Sequence, residues 1–333
     1  MGLEPAEEIS EPRPVEQKKV AGRSPTQIAL QRLRHDKVAV VCGSLVLVLA
    51  LLGAFAPLIC DYILGIGPTE RVLDADGSRA LDQFNYPTIG PPYYGFTWDH
   101  PLGISPNQAY DNTARLLYGI RTSMLVAVIA TVAVTVIGIV IGLVSGMLGG
   151  TTDRVLSFLI DLFLSFPFIL GALSLAPIVT DRFSDDQDAL QTAQFVALVG
   201  VLVVFGWMGL ARLIRGQVLT LRDREFVQAA RVIGVPTRQI LFKELLPNMV
   251  APIVVSTSLM LPAFVAAEAG LAFLGLGLTG VPSLGQTIAA ADGLYSLYPI
   301  FLWAPVVTVM VLVLALNLLG DSVRDAFDPK TRR

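Results

Sequence analysis

The chain has 333 residues, of which 53% are hydrophobic and only 15% charged, with a formal net charge of −3. Soluble domains run nearer a quarter charged, so a soluble enzyme is a poor fit, and nothing in the charge points to a nucleic-acid partner. Several apolar runs reach about 20 residues, enough to cross a hydrocarbon core of roughly 30 Å as helices. Lipid offers backbone groups no partners, and the runs lack the alternation of a barrel, so the expected fold class is an all-α membrane protein.

Residues 1–24 are rich in Glu and Pro and read as a disordered tail. Ser24 to Lys37 follows as a basic amphipathic approach, with Ile28, Leu30 and Leu33 among Arg32, Arg34 and Lys37. It is expected to lie along the inner membrane surface and completes a first segment, 1–37. The first span runs from Val38 to about Ile59, within the unit 38–60. Ala54-Phe55-Ala56 resembles a signal-peptidase site, but the long polar lead and long apolar run argue for an uncleaved anchor. Cys42 and Cys60 both fall in this run, roughly 27 Å apart along a helix, too far to pair.

Residues 61–120 are polar, with Pro68, Pro87, Pro91, Pro92 and Gly95 and more acid than base, and predict an ordered outer cap. Residues 121–320 then form a core. Its span two covers Thr122 to Leu148, and a short turn, Gly149 to Arg154, leads to span three, Val155 to Val179, with Pro167 as a kink. An acidic loop with Asp181, Asp185, Asp186 and Asp188 precedes span four, Ala193 to Leu213. A basic loop, 212–249, leads to span five, Val250 to Leu276, interrupted by Pro252 and Pro262. Thr279 to Leu302 holds no Lys or Arg, span six covers Trp303 to Leu319, and the tail 321–333 carries Arg324, Lys330, Arg332 and Arg333. Hydropathy and Lys/Arg asymmetry agree on six transmembrane helices with both termini cytoplasmic. Tyr295, Tyr298 and Trp303 sit where an interfacial aromatic belt belongs.

Gly138, Gly142 and Gly146 recur every fourth residue and predict a helix-packing face: a seam against a moving neighbour or a partner subunit, or static packing within one subunit. Asp161, Glu268 and Asn317 lie within apolar runs, where an ionisable group costs about 2.5–3.5 kcal/mol on insertion scales. They line a translocation path, or they serve as interhelical polar contacts. His35 and His100 are the only histidines, no metal-ligand spacing is present, and there is no GxxxxGK[ST] or GxSxG motif. No residue is assigned a catalytic or metal-binding role.

The basic loop is the strongest feature. Glu225 to Asn248 carries Arg231, Arg238 and Lys243, with Arg212, Arg215, Arg222 and Arg224 just upstream. Ala229 and Ala230 allow close burial of one helix face, and Gly234 suits the left-handed residue that ends a helix. Pro236 and Thr237 suit the next helix start, with Thr237 as N-cap, and Leu246-Pro247 closes that helix. On these grounds a docking element and an ordinary connector are both open.

The motifs narrow the choice. Gln228-Ala229-Ala230, Gly234 and Leu246-Pro247 resemble the "EAA loop" of bacterial ATP-binding-cassette importer permeases, with Gln228 where the motif usually has Glu. HPLG at His100–Gly103, ARLLYGIRTSM at Ala114–Met124 and DRVLSFLIDLFLSFP at Asp153–Pro167 resemble the dipeptide/oligopeptide/nickel permease family. So do ARLIRGQVLTLRDREFVQAAR at Ala211–Arg231, AEAGLAFLGLG at Ala267–Gly277 and NLLGDSVRDAFDP at Asn317–Pro329. The extra first span and long outer segment are like the C-type permease of these systems. The family's outer motifs are altered at Ile104-Ser105, Ala109-Tyr110-Asp111 and Ser283-Leu284-Gly285.

The resemblance implies a type I ABC importer-like permease fold in the bacterial inner membrane. It implies a second homologous permease, two cytosolic ATPases and an extracytoplasmic solute-binding protein as partners, with membrane lipid around them. ATP and Mg would bind the partner ATPases, and this chain would bind no cofactor. The ATPase-coupling loop would comprise Arg222, Arg224, Glu225, Gln228, Ala229, Ala230, Arg231, Gly234, Leu246 and Pro247. The implied cargo is a dipeptide or oligopeptide; nickel chelates and oligosaccharides are the alternatives within the architecture. Outside it stand a proton-coupled secondary transporter using Asp161 or Glu268, and a membrane sensor or assembly factor.

Overall fold

The computed structural model describes residues 25–183, 185–278 and 280–328. The expected disordered tail 1–24 and the basic residues Lys330, Arg332 and Arg333 lie outside the described residues. Regular structure among the described residues is helical, apart from four isolated β-bridges between residues 71 and 111.

The chain opens with α1 (Pro25–His35). It packs against the far end of the chain: Arg32 Nη1 donates to the carbonyls of Ala326 at 3.2 Å and Asp328 at 3.0 Å. Two carbonyls at a helix C-terminus thereby gain a cationic donor. Asp36 then caps α2 (Lys37–Ala54), its carboxylate accepting from the Val38 N–H at 2.9 Å. A hydrogen bond from Ser322 and those backbone N–H groups hold the Asp36 carboxyl below the usual carboxylate range. A short α3 (Ala56–Ile59) and wider turns over Cys60–Leu64 continue the run. Cys42 and Cys60 are free and buried.

Residues 65–111 fold around a small core of Val72, Ala80, Ile104 and Ala109, held by bridges Arg71↔Tyr110, Leu73↔Arg79 and Leu81↔Pro87. The Tyr93 ring meets Tyr298 edge-on at 5.5 Å. α4 (Asn112–Leu148) follows and spans about 55 Å. It begins well before the expected Thr122, so the boundary drawn at 120/121 falls inside a helix. The cause is a cap: Asp111 accepts from the Ala114 N–H at 2.6 Å and lies 2.8 Å from His100 Nδ1. Polar residues in the first turns hide this stretch from a hydropathy reading, yet they pack on the outer segment, as Asn112 Nδ2 does on the Leu102 carbonyl at 3.0 Å.

The third apolar run is two helices, α5 (Gly150–Ser165) and α6 (Phe168–Arg182), bent by 76°. The kink expected at Pro167 is a full break, because Pro removes a donor and pushes Phe166 into an extended conformation. α7 (Gln187–Leu221) runs parallel to α4. A Cβ on Gly138 would meet Leu210 Cβ at 2.9 Å, on Gly142 Ile214 Cβ at 2.6 Å, and on Gly146 Val218 Cβ at 2.7 Å. The glycine face is thus filled by α7 of the same chain, which makes it internal packing and not a seam for a partner subunit.

After α8 (Glu225–Val232), α9 (Thr237–Gln239), wider turns over Ile240–Leu245 and α10 (Leu246–Asn248), the chain enters α11 (Val250–Leu271). Wider turns over Ala272–Leu276 end it at Gly275, φ 97°. Within the stretch read as an outer loop lies a further helix, α12 (Leu284–Ala291). It presses close: a Cβ on Gly285 would collide with the Ala269 carbonyl, and the Leu284 N–H donates to Ser123 Oγ at 3.3 Å. α13 (Pro299–Phe327) closes the fold.

Among the described residues five helices are long and apolar enough to cross a membrane, or six if α5 and α6 form one bent span. Gly53 near the end of α2 packs on Arg121 near the start of α4, so α2 runs against α4. Asp36 and α1 meet the C-terminal part of α13. Both described chain ends therefore lie at the α8 end of the bundle.

Candidate functional site

α7 continues to Leu221, so the basic loop does not begin at Arg212. Two ion pairs explain the extension. Arg215 Nε and Nη2 grip Asp153 of α5 at 2.5 and 2.8 Å, and Ser145 Oγ of α4 donates to the same carboxylate at 2.5 Å. Arg212 Nη2 pairs with Asp161 at 2.5 Å. Two-pronged contact of this kind fixes geometry as well as charge. Asp161, expected in a path or an interhelical contact, is an interhelical contact on an exposed face.

Arg222, just past α7, donates from Nη1 to the Gly146 carbonyl at 3.1 Å. It satisfies an end carbonyl of α4 and is half-buried. α8 then forms with Glu225 in its first turn and Arg231 in its last, both matched to the helix dipole. Its inner face is Val227 and Ala230, which join Leu143, Leu210, Ile214, Val218, Ile240, Leu245 and Met249 in one buried cluster. α8 therefore shares a core with α4, α7 and the approach to α11.

The outer face of α8 is bare. Val232 is 86% exposed and Ile233 78%, next to exposed Gln228 and Ala229. Gly234, φ 81°, reverses the chain; its N–H reaches the Arg231 carbonyl and the Val235 N–H the Ala230 carbonyl, each at 3.0 Å. This paired closure needs a left-handed residue, which glycine adopts without steric cost.

The remaining expectations divide. Ala230 is buried as its small size requires, whereas Ala229 faces outward. Arg224, Glu225 and Gln228 are exposed, and Gln228 Nε2 donates to the Asp223 carbonyl at 3.3 Å. Arg231 Nη2 lies 3.7 Å from Met147 Sδ, tied back toward α4. Thr237 is not an N-cap: Pro236 occupies that position and makes no side-chain bond. Leu246-Pro247 does not end a helix, since Pro247 sits in the first turn of α10, where a missing N–H costs nothing.

Glu268 and Asn317 are not brought to Asp161. Asn317 is exposed and bonds to its own helix at the Val313 carbonyl, 2.9 Å away. Glu268 is fully buried beside Ser123 and Ser283, and its carboxyl oxygens close no hydrogen bond of standard geometry. α12 covers it, so it faces protein and not an open path. Residue patterns alone missed the bare pair Val232-Ile233, whose one signal is two apolar residues at the tip of a basic loop. They also missed the Asp153–Arg215 pair, which only the packing of α5 on α7 creates.

Comparison with known proteins shows the family and the fold of the chain. Residues 138–333 match the family of binding-protein-dependent transport system inner membrane components. Residues 24–68 match the N-terminal transmembrane domain of oligopeptide transport permease C. The oligopeptide transport system permease protein OppC of Bacillus subtilis is 30% identical over 308 residues, 92% of this chain and 90% of its own length. OppC of Escherichia coli K12 is 32% identical over 320 residues, 95% of each chain. The dipeptide transport system permease protein DppC of Bacillus subtilis is 29% identical over 311 residues, 92% of this chain and 87% of its own. Among solved structures, an inward-facing form of the MetNI methionine ABC transporter matches with TM-score 0.51 at 21% identity, covering 64% of this chain and 96% of that one. At that identity the likeness speaks for the fold.

Proposed function

We propose a function from one premise: the chain belongs to the family of inner membrane components of binding-protein-dependent transport systems. It is a multi-pass inner-membrane protein of the transport-permease kind. It forms half of the membrane channel of an ATP-driven importer, with a homologous permease as the other half, two cytosolic ATPases and an extracytoplasmic binding protein. The chain itself hydrolyses nothing and carries no cofactor; ATP and Mg bind the ATPases. Its cargo is a short peptide, the class named for relatives that align along more than nine-tenths of this chain. The chain crosses the membrane six times, with α5 and α6 as one broken span. The shared location of both described chain ends and the basic α8 region supports a cytoplasmic position for all three.

One observation carries the reading. α8 ends on a bare apolar pair, Val232 and Ile233, and has an inner face sunk into the core of α4, α7 and the approach to α11. A short helix built this way converts a push from a cytosolic partner into a rigid-body tilt of the helices behind it. Val232 and Ile233 would enter the ATPase groove, with Arg224 and Glu225 at its rim. Grip by shape fits a loop in which Gln228 replaces the usual acid. The two carboxylates on which a proton-coupled carrier would rest are otherwise occupied: Asp161 is paired with Arg212, and Glu268 is closed off by α12.

The test uses the full importer reconstituted in liposomes. Val232→Asp with Ile233→Asp is expected to cut co-purification of the ATPases and peptide uptake by tenfold or more, about 1.4 kcal/mol of docking energy. Gly234→Pro, which cannot adopt a positive φ, is expected to leave ATP hydrolysis but abolish uptake. Wild-type uptake in both variants would overturn the proposal.

A further inference from the structure

One cation near the outer end of the bundle has no part in the coupling site. Arg121, on α4, is half-buried, and among the described residues it makes no ion pair. Its guanidinium lies 5.9 Å from the Tyr118 ring centre. Asp61 and Glu70 also lie near Tyr118, but neither pairs with Arg121, and Glu70 accepts from the Gly67 N–H at 3.0 Å. Arg121 stands between two cavities. One, about 410 Å³, opens between α4 and α7, with Thr122, Gln191, Phe195 and Leu278 around it. The other, about 360 Å³, opens between α2 and α4 along Ala50, Gly53 and Met124. Leu125 walls both.

The depth is informative. A Cβ on Gly53 would meet the Arg121 backbone nitrogen at 3.0 Å, so Arg121 is level with the last turn of α2. The apolar helix α2, long enough to cross a membrane, ends at that level, where a span that stops there would meet the headgroups. A guanidinium without an ion pair there, beside two cavities with mostly apolar walls, fits a phosphate that carries apolar chains. We propose that Arg121 holds the phosphodiester of a phospholipid from the outer leaflet, whose acyl chains fill the two flanking grooves. A guanidinium takes two phosphate oxygens in a fork that an ammonium does not reproduce. The adjoining apolar walls supply the area that a soluble phosphate cannot use. The position beside α2, the peripheral first span, favours lipid over cargo. A lipid bound here would fill the groove along Ala50, Ala54, Met124 and Val128, beside the close Gly53–Arg121 contact.

The test is native mass spectrometry of the full chain, purified with its partner subunits and released from nanodiscs of phosphatidylglycerol and phosphatidylethanolamine. Wild type is expected to retain phosphatidylglycerol, Arg121→Gln to bind it about tenfold more weakly, and Arg121→Lys to fall between. Arg79→Gln, in the exposed outer segment, is expected to match wild type. Leu125→Trp, which keeps the charge and fills the cavities, should also release lipid. Soluble glycerophosphoglycerol and a tripeptide are offered as competitors, and neither should displace the lipid. Equal retention by Arg121→Gln and wild type overturns the site. Displacement by the tripeptide or by the soluble headgroup overturns the lipid assignment while leaving the coupling proposal standing.

Discussion

Single residues set where the long helices begin and stop. Asp111 fixes the start of α4 by taking the Ala114 N–H, and His100 holds Asp111 in turn. Asp111→Ala should cost about 1–2 kcal/mol, read as a lower unfolding temperature in detergent. Asp153 joins α4, α5 and α7 through Ser145 and Arg215. Asp153→Asn keeps the shape but removes the charge, and about 2 kcal/mol should go with it; equal thermal stability of the two proteins would refute that assignment. Asp36 makes a third case, with a pH dependence. Its folded carboxyl titrates lower than the free group at 3.8, so its contribution is present above that pH and fades as pH falls through the folded value. Asp36→Asn should therefore loosen α1 and α2 at pH 7, measured by hydrogen exchange at residues 25–40, and the gap from wild type should narrow below about pH 4.

At the scale of elements, the seam between α4 and α7 is the most extensive helix pairing among the described residues. Gly142→Ala should destabilise by about 1–3 kcal/mol through overpacking, whereas Gly216→Ala, with nothing within 4 Å, should be neutral or better in an unfolding series. Hydropathy located the middle of every long helix, because the lipid-facing apolar stretch is what a hydropathy window measures. It missed the ends. The first turns of α4 and the last turns of α7 are polar in composition yet helical, since Arg215 and Arg212 find acids on α5 and Asn112 finds the outer segment. α12 was invisible for a different reason: eight residues, half of them small, carry no periodic signal. In the candidate site, Gly234 was legible because a glycine before Val-Pro has a mechanical role that sequence states outright. The partition of Ala229 outward and Ala230 inward was not, because it depends on where α8 lands on the cluster around Ile214 and Leu245.

For the whole molecule, the topology leads to a direct measurement. With Cys42 and Cys60 replaced by Ala, a cysteine at Ser78 should react with a membrane-impermeant maleimide added to spheroplasts. A cysteine at Val232 or Gln27 should react only after lysis. Labelling of Val232 in intact spheroplasts would invert the fold in the membrane and remove the coupling role of α8.

The break between α5 and α6 leads further. Ser165, Phe166 and Pro167 are exposed there, and Pro167 brings no N–H. Phe166 and Pro167 are extended, so the regular ladder of backbone bonds stops between Ser165 and Phe168. Backbone polar groups of that kind are not stable against hydrocarbon. If α5 and α6 form one span, a solitary copy exposes this break to lipid, and a neighbouring subunit that packs there would cover it. The lifetime of the chain becomes a counting device for assembly. Pulse-chase in cells lacking the second permease should show this chain degraded severalfold faster than in cells that make both, and an unchanged half-life would mean that it covers the break alone.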